Sequence, residues 1–347
     1  MSGGVDSSVA ATLLHEQGHD IVGLSMQLYD QRQDTSAFGS CCSVDDLQDA
    51  RRVAAVLGIP HYIVNFQQQF DAHVVSDFVR EYAAARTPIP CIRCNGELKF
   101  SHLLDRANGL DATAVATGHY ARVDRTADGR YVLRRGVDAD KDQSYFLFTL
   151  TQPQLACARF PLGDLRKPDV REYAASRGLP VADKPDSHEI CFVADGDYAA
   201  FVERRAPDVA RSGNIVDTDG QTLGQHRGVH RYTVGQRKGL GLSCAIPLYV
   251  VAMDASENTV TVGPREAIER RDLTASGVNW IAGRPPREPL RVEAQIRHRH
   301  PAASALLQPR DTTGAHLEFD DPQPAISPGQ AVVFYDGDAV VGGGWID

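Results

Sequence analysis

Apolar positions set the first half of the chain into a repeating rhythm. Val5, Val9, Ala10, Leu13 and Leu14 fall on one face at helical spacing, which predicts a helix over 5–17 ending near Gly18. The apolar run within Asp20–Gln27 predicts a buried strand. Val44, Leu47, Ala50, Ala54 and Leu57 then predict a second helix, with Ser43 and Asp46 spaced as a capping box and Gly58-Ile59-Pro60 as its stop. A short strand over Tyr62–Asn65 and an amphipathic helix over Phe70–Ala85 follow. Residues 28–42 read as a polar loop ending in Cys41-Cys42. Further on, Ala112–Thr117 predicts a small buried strand, 121–136 a hairpin turning at Asp128-Gly129, and Pro168–Arg177 a short helix closed by Gly178. Helices alternating with buried strands indicate an α/β fold on a parallel, doubly wound sheet.

After about residue 205 the period changes. Short alternating runs such as IVDTDGQTLG and LYVVAMDASENTVTVG, separated by Gly, Pro and Asp, predict a small β-rich central domain. From 272 the runs LRVEAQIRHRH, HLEFDD and QAVVFYDGDAVVGGGWI predict a C-terminal β-barrel. The expected domains are therefore 1–203, 204–271 and 272–347. At 347 residues, more than one core is needed. No run of 18 apolar residues is present and none resembling a signal peptide, so a cytoplasmic protein that crosses no membrane is expected. Seven cysteines is an odd number and does not read as a disulfide framework.

Four stretches carry candidate chemistry. Ser2-Gly3-Gly4-Val5-Asp6-Ser7-Ser8 is a glycine turn opening a helix, where free N–H groups and the helix dipole favour an anion such as phosphate. It lacks the Gly-Lys-Ser/Thr of a Walker A loop. Cys91 and Cys94 form C-x-x-C. With Pro88 and Pro90 read as extended and Asn95 as the start of a helix bearing Leu98, Leu103 and Leu104, Cys94 is expected at a helix N-terminus, where its thiolate is favoured. A zinc ribbon would need a second such pair, and there is none. Gly118-His119 ends a predicted strand, the position where α/β folds meet ligands. Cys191, between Ile190 and Phe192, reads locally as a core cysteine in a strand, and Lys141-Asp142-Gln143 as a solvated turn. His188 and Glu189 have no companion at metal-ligand spacing.

The net charge of −9 argues mildly against nucleic acid, but it hides two basic stretches. From Gln221 to Met253 there is no acidic residue, while His226, Arg227, His230, Arg231, Arg237 and Lys238 are present. Arg297-His298-Arg299-His300 forms the second stretch. Either can contact phosphates or serve as a solvated face.

Taken in order, SGGVDSS, CxxCN, GHY, KDQS, SHEICF, GQRKGLG and SPGQAVVFY resemble the tRNA-specific 2-thiouridylases (the MnmA/TrmU family) of the PP-loop ATP pyrophosphatases. The resemblance covers essentially the whole chain. It implies thiolation of the wobble uridine of glutamate, glutamine and lysine tRNAs, with adenylation of the uridine 2-carbonyl oxygen by ATP. ATP would be held by Ser2, Gly3, Gly4, Val5, Asp6, Ser7 and Ser8, with Met26 and Gly118 beside the adenosine and Asp6 near Mg²⁺. It implies Cys94 as nucleophile and Cys191 as carrier of a persulfide. Ile89, Pro90 and Cys91 would meet the target base. His119, Lys141, Asp142, Gln143, Arg297, His298 and Gln330 would contact the tRNA anticodon stem-loop. Two positions depart from the family pattern: Cys91 replaces a common Asp, and His298 a common Tyr. The first opens an alternative, a [4Fe–4S] cluster on Cys91, Cys94 and Cys191, and a PP-loop adenylating synthetase is a further rival. A cysteine desulfurase or a sulfur-relay protein is the expected sulfur donor, and a monomer is expected. Nothing precedes the loop, so either a start assigned several residues late or a sheet short of its first strand, with weakened ATP binding, is expected.

Overall fold

The computed structural model describes residues 1–29, 44–186, 190–193 and 196–347. Cys41, Cys42, the Ser43 cap, His188 and Glu189 lie outside them. The chain forms two compact units. The first comprises Met1–Val74, Cys91–Gly196 and Asp338–Val340; the second comprises Val75–Pro90, Asp197–Gly337 and Val341–Asp347.

In the first unit, α1 (Val5–Glu16) leads to β1 (Gly23–Gln27), α2 (Val44–Leu57) and β2 (His61–Asn65). β1 and β2 are parallel, with Ser25 opposite Ile63, so α2 is carried by a crossover between parallel strands. Gly18 takes φ +81° past the end of α1, the left-handed conformation that stops a helix. Before α1, the amino group of Met1 donates to the Leu24 carbonyl, and Ser25 Oγ donates to the Met1 carbonyl at 2.6 Å. Residue 1 is thereby tied to β1.

Residues 90–108 form one continuous helix, α3. It begins Pro90–Arg93, is π-helical over Cys94–His102 and closes as Leu103–Asn108. The buried Asn95 side chain donates to the Phe146 carbonyl at 3.1 Å. A Cβ on Gly96 would meet Thr149 Oγ1 at 2.9 Å. These two contacts seat α3 on the 144–149 segment.

β3 (Val115–Ala116) runs parallel to β6 (Ala158–Arg159). Between them, β4 (Ala121–Arg125) and β5 (Tyr131–Arg135) make the expected hairpin, turning at Gly129 with φ +85°. The segment 338–340 completes this unit: Arg122 and Arg134 donate to the Asp338 carboxylate at 2.7 and 2.5 Å. The unit then closes with α4 (Lys167–Ser176). Its core joins Val5, Val9 and Ala10 of α1 with Val53 of α2, Val170 and Ala174 of α4, and Tyr120, Leu162, Leu179 and Val181. The face of α1 predicted from spacing is the face that packs.

The second unit holds two sheets. β7 (Gly213–Val216), β8 (Thr222–His226), β9 (Tyr249–Asp254) and β10 (Thr259–Gly263) pair in the order β8-β7-β10-β9, with β7 and β10 parallel. β11 (Glu269–Trp280), β12 (Leu290–Gln295), β13 (Ala303–Pro309), β14 (Ala315–Pro324), β15 (Ala331–Asp336) and β16 (Ala339–Ile346) run in the order β11-β14-β13-β12-β15-β16. β11 also pairs with β16, so the six strands close into a barrel and leave no edge. Its interior is filled by Leu273, Trp280, Val292, Leu307, Leu317, Phe319, Val332, Phe334 and Ile346.

The basic stretch of the central sheet is partly structural. His230 Nε2 and Arg231 share the Glu203 carboxylate at 2.9 and 2.6 Å. His226 accepts from the Gly228 N–H at 3.0 Å. Arg227, Arg237 and Lys238 stay exposed. Among the described residues no helix is long and apolar enough to cross a membrane.

Both tryptophans of the chain, Trp280 and Trp345, lie in barrel strands, and Trp280 lies 5.9 Å from the Phe334 ring. Phe334→Ala removes a fully buried ring and is expected to lower barrel stability by about 3–5 kcal/mol. Tryptophan fluorescence through a urea titration reads this as a shifted midpoint for the barrel alone.

Candidate active site

The glycine loop is held by its own hydroxyls. The Ser2 N–H donates to Ser7 Oγ at 3.1 Å, and Ser8 Oγ donates to the Gly4 carbonyl at 2.9 Å. Gly4, the N-cap of α1, has no side chain with which to cap it, so the first-turn N–H groups are not taken by a capping oxygen. Gly3 adopts φ +72°, and a Cβ there would stand 2.1 Å from the Asp46 carbonyl oxygen. Only glycine permits the turn and its approach to α2. Lys184 pins the same contact: its Nζ donates to the Gly3 carbonyl at 3.0 Å and to Asp46 and Asp49 at 2.6 Å each. Burial works against that ammonium, but the two carboxylates raise its pKa above the usual lysine value.

Asp6, in the first turn of α1, receives three hydrogen bonds. Lys167 Nζ donates to its two oxygens at 2.7 and 2.8 Å. The Tyr120 hydroxyl donates to Oδ1 at 2.8 Å, and burial, then Asp6, push the phenol well above its normal range. Lys167 also meets Asp186 at 2.9 Å, and Asp186 further receives Lys141 at 2.7 Å and Arg171 at 2.8 Å. Burial would raise the Asp186 pKa, but Lys141 and Lys167 outweigh it and hold the carboxyl far below the usual range. Gly118 completes the wall. A Cβ on it would lie 2.7 Å from the Asp6 carbonyl carbon and 2.7 Å from the Ser7 nitrogen. Gly118, two residues past β3, thus touches the loop backbone. The half-buried Met26 is the next-to-last residue of β1 in the same unit.

The two thiols are set by different local structures from those expected. The helix carrying Cys94 starts at Pro90, not at Asn95. Cys94 therefore lies in the second turn, and the exposed Cys91 takes the first turn, where the dipole acts most strongly. The signal was in the sequence: Pro at the first helical position is pre-shaped for a helix start, and its missing N–H costs nothing there. Cys191 is not in a strand either. It sits in a turn closed by the Val193 N–H on the Ile190 carbonyl at 2.9 Å, which leaves it half-buried rather than in a core. The adjacent Phe192 packs edge-on against Phe70 at 5.5 Å. Among the described residues no group of three His, Cys, Asp or Glu side chains is placed to hold a metal ion, so Cys91, Cys94 and Cys191 do not form a cluster site in this structure.

The segment 141–143 is not a solvated turn. Asp142 accepts from the Gly136 N–H at 3.0 Å and from Ser144 Oγ at 2.8 Å. The Gln143 side-chain oxygen accepts from the Tyr120 N–H at 3.1 Å, which fixes the residue whose hydroxyl holds Asp6. His119 is buried, shares a 2.6 Å hydrogen bond with Thr117 and lies against Phe160. Burial and Lys99 depress its pKa far below the normal histidine value, so it is neutral. In the second unit, Gln330 donates to the Thr87 carbonyl at 2.9 Å, which brings it to the segment bearing Ile89 and Pro90. Arg297 is half-buried and His298 exposed, just past the end of β12. Lys167 and Lys184 were not singled out from the sequence. Each follows an unremarkable run, and only the fold brings them to the loop.

Three family models match the chain: a tRNA methyl transferase HUP domain over residues 1–195, a tRNA methyl transferase PRC-barrel domain over 199–264, and an aminomethyltransferase β-barrel domain over 270–346. The tRNA-specific 2-thiouridylase MnmA of Geotalea uraniireducens is 53% identical over 351 residues, covering 100% of this chain and 93% of its own. Those of Heliobacterium modesticaldum and Solibacter usitatus are each 52% identical, covering 100% of this chain and 91% and 98% of theirs. With a glycine loop, a tethered aspartate and two thiols in one compact unit, and with relatives half identical along its whole length, the chain belongs to the tRNA-specific 2-thiouridylase family.

Proposed function

We propose that the protein converts the wobble uridine of glutamate, glutamine and lysine tRNAs to 2-thiouridine, consuming ATP and releasing AMP and pyrophosphate. The observation that carries this reading is the presence, in one compact unit, of the uncapped glycine loop and the two thiols Cys94 and Cys191. Sulfur transfer needs both, whereas an adenylating synthetase that adds an amine needs no thiol.

The loop fits a triphosphate. Its first-turn N–H groups are uncapped, and Gly3 and Gly118 let the loop lie directly on the backbone of Asp46 and of residue 118, which fixes the direction of those N–H groups. Val5 starts the helix and packs into the core, while Ser2, Ser7 and Ser8 set the turn. A single hard carboxylate, Asp6, fits Mg²⁺, which takes one or two carboxylates and completes its shell from phosphates and water. When bound, the ion would neutralise charge on the phosphates. Met26 and Gly118 flank the adenosine.

The uridine O2 attacks the α-phosphate and expels pyrophosphate, leaving an adenylated base whose oxygen departs as AMP. Cys191 carries a persulfide. The Cys94 thiolate attacks Cys191 Sγ and breaks its bond to the outer sulfur, forming the Cys94–Cys191 disulfide and expelling that sulfur as hydrosulfide, which adds to C2. The persulfide itself can also add to C2, with Cys94 then releasing the product sulfur. An anticodon loop presents the base unstacked. Ile89, Pro90 and Cys91 meet that base. His119, Lys141, Asp142, Gln143, Arg297, His298 and Gln330 serve the tRNA side, the buried ones by shaping the surface. A cysteine desulfurase or relay protein supplies the sulfur.

The reading is tested by mixing α-labelled ATP, Mg²⁺, a persulfide source and unmodified glutamate tRNA with the protein under anaerobic conditions. Labelled AMP and 2-thiouridine are both expected. Cys94→Ser and Cys191→Ser are each expected to reduce thiouridine to background; thiolation that survives either change overturns its assigned role. Gly118→Ala, by pushing a methyl group into the Asp6–Ser7 backbone, is expected to weaken ATP binding about tenfold or more, measured by calorimetry, with the melting of the tryptophan-bearing barrel unchanged.

A further inference from the structure

Lys167 stands out among the groups that the mechanism above does not use. Its side chain is only 9% exposed, yet its ammonium bonds to both oxygens of Asp6 at 2.7 and 2.8 Å. That carboxylate is the one suited to a divalent ion beside the phosphates. The two compete: the ammonium and the Tyr120 hydroxyl use three of the carboxylate's roughly four lone-pair sites, and the ammonium's positive charge repels an ion brought to the same carboxylate. The rest of the cluster is arranged so that Lys167 can leave. Asp186, its other partner, keeps Lys141 at 2.7 Å and Arg171 at 2.8 Å. No buried carboxylate is then left unpaired, the outcome that would make such a move costly. Asp6 itself keeps the Tyr120 hydroxyl. The backbone of Lys167 is fixed, since its N–H donates to Asp138 at 2.8 Å and Pro168 follows in the first turn of α4. Only the four-carbon side chain is left to swing.

We infer that Lys167 holds the place of the divalent cation on Asp6 in the nucleotide-free protein, and turns to the phosphates when the metal–nucleotide complex takes Asp6. The exchange keeps every charge compensated: the ion replaces the ammonium on the carboxylate, and the ammonium meets the triphosphate. It also makes the metal site conditional, because the ion alone offers Lys167 no anion to go to, whereas magnesium with ATP does. The inference rests on the reading of the loop as an ATP site, but half of its test needs no nucleotide.

That half is thermal unfolding of the full chain with and without millimolar Mg²⁺. Wild type is expected to show no Mg²⁺-dependent rise in melting temperature. Lys167→Met, which opens Asp6, is expected to gain one, and the Asp6→Asn/Lys167→Met double variant to lose it again. Calorimetry with Mg²⁺ and ATP forms the second half: Lys167→Met is expected to bind about 10–100-fold more weakly than wild type, consistent with the loss of a charge-assisted contact, and Lys167→Arg to recover most of that loss. If Lys167→Met does not fold, Lys167→Gln carries the same comparison.

A purely structural ion pair predicts otherwise. Lys167→Met would melt lower, show no response to Mg²⁺ and bind Mg²⁺ and ATP as wild type does; that result overturns the inference. An Asp6-dependent response of wild type to Mg²⁺ alone overturns it as well. Failure of wild type to bind ATP at all instead sinks the loop reading, and the Mg²⁺ comparison still decides whether Lys167 occupies Asp6.

Discussion

The carboxylate of Asp6 is the point on which the first unit turns. It lies in the first turn of α1, in a loop whose glycines offer nothing to hold it. It is fixed by a hydroxyl from residue 120 and an ammonium from residue 167. Each partner is fixed in turn: Tyr120 through Gln143, and Lys167 through Asp138 and Asp186. Remove the aspartate and the buried Tyr120 phenol loses its acceptor, while the Lys167 ammonium is left with Asp186 alone. Such a network is costly when half satisfied and rigid when complete, which suits a loop that must present N–H groups in fixed directions.

Around that point, small residues matter by what they omit. Gly3 lets the loop lie on the backbone of α2, and Gly118 lets the segment just past β3 lie on the first turn of α1. Lys184 closes the first of these contacts by bonding to Gly3 and to two carboxylates of α2. The loop is thereby clasped from both sides while its first-turn N–H groups carry no side-chain cap.

The thiols are organised on another principle. Cys94 rides in a helix, seated by the neighbouring Asn95 and Gly96, whose contacts with residues 146 and 149 fix its rotation. Cys191 rides in a turn closed by the Val193 N–H on the Ile190 carbonyl, with its neighbour Phe192 packed against Phe70.

Much of this was legible in the residues alone. Period-3.6 spacing located α1 and α2, a bounding proline and glycine located α4, the Asp128-Gly129 turn located the hairpin, and the change of period near residue 205 separated the α/β part from the β part, because local backbone preference and side-chain burial act over a few residues. The helix start at Pro90 was also written there and was misread, since proline suits both an extended segment and a first turn. What spacing could not reveal was which charges meet. Asp6, Lys167 and Asp186, or Gly3 and Lys184, are separated by some 160 residues or more of chain, except where Lys167 and Asp186 share one segment, and no local pattern marks them. Lys-Asp-Gln looked solvated because polarity in sequence does not say whether a partner awaits. Those pairings were decided by the packing of α1 against α4 and of the loop against α2, where burying a charge demands that its counter-charge be buried beside it.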